Sequence, residues 1–122
     1  MQSLLGNSRK ADITFSVTGR IGITSHVARQ LRLQRGDVLD ILADGEEFYL
    51  YVRHRAPSNG RHEAAVYPTN RKGNNFRAWS PKLCAAMLAE SRQSRYVRLC
   101  VGDPIRHPVQ GTLLPIITKY VL

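Results

Sequence analysis

Arginine carries most of the positive charge of this chain, and its spacing is the first feature with chemical content. The run GRIGITSHVARQLRLQRGD, from Gly19 to Asp37, sets Arg20, Arg29, Arg32 and Arg35 among apolar residues. Farther along, Arg71 and Lys72 share the turn-forming segment NRKGNN, Arg77 lies in FRAW, and Lys82 follows Ser80 and Pro81. A guanidinium is planar and offers paired N–H donors, which suits bidentate contact with phosphates and guanine edges. Eighteen Lys+Arg stand against nine Asp+Glu in 122 residues, a formal net charge of +9. Such an excess attracts polyanions, whether nucleic acid or an anionic membrane surface. Phosphate contacts make binding steeply salt-dependent, and base-edge contacts are needed for any sequence preference. The same residues also fit a plain solvated surface. On that reading Arg20 is a strand-end partner of Asp12 or Asp40, Arg29 and Arg32 form a charged helix face, and Arg53, Arg55 and Arg61 belong to a polar connector.

Other chemistry is sparse. His26, His54, His62 and His107 show no zinc-ligand spacing with each other or with Cys84 and Cys100. The two cysteines sit in apolar patterns and read as buried thiols. GDPIRHP brings Asp103, Arg106 and His107 close in sequence, as a polar loop or as the wall of a pocket. There is no G-x-S-x-G, Walker A or G-x-G-x-x-G pattern. No catalytic residue, metal site or cofactor is therefore expected, and an enzyme with a pocket around Asp103 to His107 is only an alternative. Trp79, between strand-like residues and a helix start, is expected in the core rather than as a base-stacking platform.

The elements that must position these residues follow from periodicity. A hydrophobic fraction of 43% with 22% charged residues is ordinary for a folded globule. A single domain over residues 1–122 can bury roughly two-thirds of its unfolded surface. No apolar run approaches the roughly 20 residues of a membrane span. The opening MQSLLGNSRKADI lacks the pattern of a secretory signal, so the cytoplasm is the expected compartment. DITFSV and IGIT read as strands around the turn TGR. A helix capped by Thr24 or Ser25 runs to about Leu31 and buries Val27, Ala28 and Leu31. VLDILA and FYLYV form a hairpin about an Asp-Gly turn. After a connector at 54–61, EAAVYP and FRAW read as strands around NRKGNN. A helix follows, with Ser80 as N-cap and Pro81 in its first turn. RYVRLCV is a strand, GDPIRHPVQG a long turn, and TLLPIITKYVL a last strand whose Pro115 suggests an edge or a bulge.

The second half thus repeats the first, as pseudo-repeats 12–53 and 62–122. Setting Thr24 on Pro81 places Arg20 on Arg77, Val27 on Cys84, Ala28 on Ala85 and Leu31 on Leu88. One residue further out of step, Val38, Asp40 and Ile41 fall on Tyr96, Arg98 and Leu99. Two interleaved halves would close one barrel and leave few strand edges exposed.

Gly19-Arg20, Leu31, Leu33, Gly36-Asp37 and Asp44-Gly45 carry a more specific signal. In their order and spacing, residues 12 to 53 resemble the swapped-hairpin AbrB family, the AbrB-, MazE- and SpoVT-like regulators and antitoxins. The departures are Thr24 where the family opens its helix with proline, no arginine early in the first strand, and no Asp-x-x-x-Arg motif of the MraZ type. The resemblance implies a mainly β fold with two short helices, a swapped-hairpin, double-psi-like barrel from two pseudo-repeats. One chain would then be a monomeric pseudo-dimer, or the unit of a homodimer. It implies binding of double-stranded DNA through Arg20 and Arg29, with Arg77 and Lys82 as second-half counterparts; Arg71 and Lys72 join them on charge alone. A protein-binding module for an acidic partner, such as a toxin, is the alternative from a different class.

Overall fold

The computed structural model describes residues 11–54, 63–69, 74–119 and 121. The described chain is mainly β, with nine strands and two helices. β1 (Ile13–Ser16) and β2 (Arg20–Ile23) lead to α1 (Ser25–Leu31), β3 (Val38–Asp44) and β4 (Glu47–Arg53). β5 (Tyr67–Pro68) and β6 (Phe76–Trp79) lead to α2 (Pro81–Glu90), β7 (Tyr96–Val101), β8 (Ile105–His107) and β9 (Gly111–Ile117). One antiparallel sheet runs in the order β3-β4-β9-β7-β1-β2-β6-β5, with β8 added beside β9.

Hairpin β1–β2 has its counterpart in β5–β6, and β3–β4 in β7–β9. The halves meet along β2–β6, β1–β7 and β4–β9. In the β2–β6 pair, Arg20 faces Trp79, Ile21 faces Ala78 and Gly22 faces Arg77, so each strand reads the same way to its partner. The sheet also curls. Residues 64–66 bond back to the start of β3, through Val66 N–H to Asp37 O and Leu39 N–H to Ala64 O. Ala64 N–H meanwhile donates to Trp79 O, which ties this segment to β6 on its other side.

Alternation along the strands sends Ile13, Phe15, Ile21, Ile23, Val97 and Leu99 inward. Leu50 and Leu114, direct partners in β4 and β9, are fully buried, as are Val27 of α1 and Met87 of α2. Each such side chain contributes about 2 kcal/mol by leaving water. α2 packs on β1, β2 and β7, whereas α1 packs chiefly on β9. Both helices end in the same way. Arg32 and Arg92 adopt left-handed backbone, and the next N–H reaches five residues back, Leu33 to Ala28 and Gln93 to Leu88.

Five expectations need correction. Thr24 is the N-cap of α1, but its hydroxyl donates to Asp12 O instead of capping the helix. EAAVYP is a strand only at Tyr67 and Pro68, because Ala64 at φ +68° breaks the extended run. The turn expected at 102–111 contains β8, whose pairing with β9 extends the sheet. Pro115 is not on an edge: β9 lies between β4 and β7. Its carbonyl accepts from Gly102 N–H, so the N–H it lacks lies on the side of Gly102, just past the end of β7, where the β7–β9 ladder stops. Finally, Ala85 is exposed where Ala28 is buried, because α2 is three residues longer than α1 and fills the core with Met87.

Candidate nucleic-acid interface

The outward face of β5, β6, β2, β1 and β7 collects arginines and aromatic rings. Sheet register makes Tyr67, Arg77, Gly22, Thr14 and Arg98 one row of direct neighbours across the five strands. Trp79 faces Arg20 in the adjacent row, and Tyr96 faces Ser16. Arg20 and Arg77 are therefore diagonal neighbours on one surface, as β2 and β6 require. Gly22 adds no side chain between Arg77 and Thr14, so the middle of the row is low.

The rings are set among the cations. Trp79 is 58% exposed, Tyr96 50% and Tyr67 38%. The Arg98 guanidinium lies 5.0 Å from the Tyr96 ring centre, and that of Arg35 lies 5.7 Å from Tyr67. Among the described residues, the ion pairs are Arg53–Asp40 and His54–Asp37, so Arg20, Arg35, Arg77 and Arg98 form none. Neither acid offered above as a partner for Arg20 holds it. Asp40 takes the Tyr51 hydroxyl and Arg53, and Asp12 accepts Val101 N–H at 2.8 Å.

A groove of ≈ 780 Å³ opens at the β5–β6 end, walled by Arg20, Arg35, Glu63, Tyr67, Arg77 and Trp79. Among the described residues Glu63 is its one carboxylate, and its Oε1 accepts from Ser80 Oγ at 2.9 Å and Lys82 N–H at 3.3 Å. That carboxylate thus sits on the positive end of α2, leaving three guanidiniums to set the charge of the groove. Trp79 is tethered at one edge. Its indole N–H donates to Thr18 O at 3.2 Å, and the ring packs over Gly19, where a Cβ would lie 2.8 Å from Nε1. The Gly-Arg pair at the start of β2 therefore seats a tryptophan and presents a cation.

Arg20 and Arg77 come together on this face, whereas the other expected contacts do not join them. Arg29 is exposed in the last turn of α1, a helix that packs chiefly on β9. Lys82 is exposed in the first turn of α2, with only its backbone engaged at Glu63. Arg71 and Lys72 lie outside the described residues. The expectation of a buried Trp79 is overturned: Ala78 and Phe76 take the inward positions of β6, and alternation turns Trp79 out beside Arg77. Tyr67, Tyr96, Arg98 and Arg35 join this face beyond the residues that the sequence points to. In RYVRLCV the same alternation separates outward Tyr96 and Arg98 from inward Val97 and Leu99, a signal present in the sequence.

Elsewhere the polar residues serve the fold. Asp37 of the Gly-Asp turn is buried, accepts Gln34 N–H at 2.8 Å and faces His54 Nδ1 at 3.1 Å. His107 Nδ1 accepts Val109 and Gln110 N–H, closing the β8–β9 turn. Cys84 and Cys100 are both buried, and burial pushes the Cys84 thiol up from its ordinary pKa. No group of three or more metal-ligating side chains occurs among the described residues, nor any helix long and apolar enough to cross a membrane. Comparison with protein families, with curated proteins and with solved structures finds no match for this chain.

Proposed function

We propose that the chain binds nucleic acid on the outward face of β5, β6, β2, β1 and β7, by contact of its arginines with phosphates. The observation that carries this is four guanidiniums, of Arg20, Arg35, Arg77 and Arg98, presented on one side with no ion-pair partner among the described residues. An acid-paired or scattered set would be a solvated surface; a convergent unpaired set is a polyanion site. Double-stranded DNA, bound by an AbrB-like regulator or antitoxin, is the form the resemblance implies. The strand pairing is compatible with that family's architecture, in which two halves interleave their hairpins into one swapped-hairpin barrel, here within a single chain.

Duplex DNA titrated at several salt concentrations tests the reading. Binding is expected to weaken as salt rises, and the double variant Arg20→Ala/Arg77→Ala should reduce the log–log salt slope by about 2, one for each phosphate contact. The control Arg53→Ala/Arg106→Ala removes the same charge from exposed positions on β4 and β8. Equal losses in both double variants would show an unspecific charge effect and reject this face as the site. A protein-binding module for an acidic partner draws on the same residues, since Trp, Tyr and Arg also dominate protein hot spots. The unpaired cations on a shallow face favour phosphates.

A further inference from the structure

The aromatic rings on this face are more than phosphate contacts require. We propose that they stack unpaired nucleobases, so that the face binds single-stranded nucleic acid more tightly than duplex. The inference rests on the nucleic-acid reading above and specifies the strand form that the site recognises.

Three large aromatic side chains on one sheet face are left to solvent, while smaller residues of the same strands fill the core. Each has an arginine beside it: Arg20 across from Trp79, Arg77 and Arg35 around Tyr67, and Arg98 on Tyr96. That alternation matches a single strand, whose bases expose their faces and whose phosphates recur between them. Duplex DNA hides base faces within its stack, so it can engage the arginines and leave the rings idle. From β5 to β7 the face covers four inter-strand spacings, about 19 Å at ~4.8 Å each. This is room for a site of about four nucleotides, the lower range for a sheet-based single-strand binder.

Trp79 carries the clearest role. Its ring is anchored by the bond to Thr18 O and by its contact with Gly19, so a stacked base meets a surface that is already ordered. The groove between Trp79 and Tyr67 is open, and Arg20, Arg35 and Arg77 line it for the flanking phosphates. No edge-specific donor set is required, so the site accepts any base that has been freed from its partner. The shared chemistry, an unpaired base between phosphates, occurs in both DNA and RNA.

Fluorescence anisotropy of the full chain with labelled dT12, rU12 and a 20-base-pair duplex, at one salt concentration, decides the matter. The expected result is at least tenfold tighter binding of dT12 or rU12 than of the duplex. Quenching of the single tryptophan should accompany it, since only Trp79 can report. The two oligonucleotide arms separate DNA from RNA. Trp79→Ala and Tyr67→Ala should each weaken single-strand binding about tenfold and duplex binding much less, so that the preference for single strands shrinks, while Trp79→Phe retains most of it. If Trp79→Ala loosens the β1–β2 turn, Tyr96→Leu at the other end of the face gives the same comparison away from that turn. Duplex binding equal to or tighter than single-strand binding, with tryptophan emission unchanged, overturns the stacking and leaves the arginine face standing. Binding of neither form rejects both readings.

Discussion

Gly19 shows how one residue can serve both fold and surface. At φ +94° a side chain would strain the backbone, and its Cβ would also press on Trp79 Nε1 at 2.8 Å and Pro81 Cγ at 3.2 Å. Gly19→Ala should therefore lower stability by about 2 kcal/mol, from the left-handed backbone plus the contact. A double-mutant cycle with Trp79→Ala separates the two, because truncating the indole relieves only the contact. Urea denaturation of the four proteins should give a non-zero coupling; strict additivity would mean that the ring does not press on Gly19. This residue also marks what was legible. Gly19-Arg20 stands out in the sequence as a turn followed by a cation. That the glycine makes room for a tryptophan sixty residues on depends on the β2–β6 register, which no local pattern encodes.

At the scale of the element, the two helices begin differently although their strands correspond. Ser80 Oγ accepts Leu83 N–H at 3.1 Å and donates to Glu63, while Thr24 turns its hydroxyl to Asp12 O and leaves α1 without a side-chain cap. Ser80→Ala should accordingly cost about 1 kcal/mol by thermal or urea unfolding, and Thr24→Val less. Equal losses at both positions would show that the hydroxyls act through burial rather than through capping. Ser80, Pro81 and the apolar spacing of α2 were readable because a cap acts within four residues. The shortening of β5 was not, since residues 64–66 turn aside to bond with distant residues 36–39. β8 pairs only four to eight residues away with β9, but it is hidden by Pro104, Pro108 and Gly111, which mark the segment as a turn. The outward row of Tyr67, Arg77 and Arg98 falls between these cases. Each strand's alternation is local, but their convergence is a property of strand order.

For the whole molecule, strand order has a thermodynamic consequence. β1 pairs with β7, β2 with β6 and β4 with β9, so each half takes ladder partners from the other. Leu50 and Leu114 meet in the β4–β9 pair and are fully buried, which puts residues of both halves in one core. Trp79 lies on β6, in the other half of the chain from Leu50, and is the only tryptophan. Leu50→Ala should destabilise by about 2–5 kcal/mol through the cavity it leaves. If the chain folds as one cooperative unit, tryptophan fluorescence at β6 must report that loss as fully as far-ultraviolet circular dichroism does. The two probes should give coincident urea midpoints in the parent and in the variant, both shifted by the same amount. A fluorescence midpoint that stays put while the dichroism midpoint falls would mean that the halves unfold separately. The sheet face would then be carried by an independent second half rather than by interleaved hairpins.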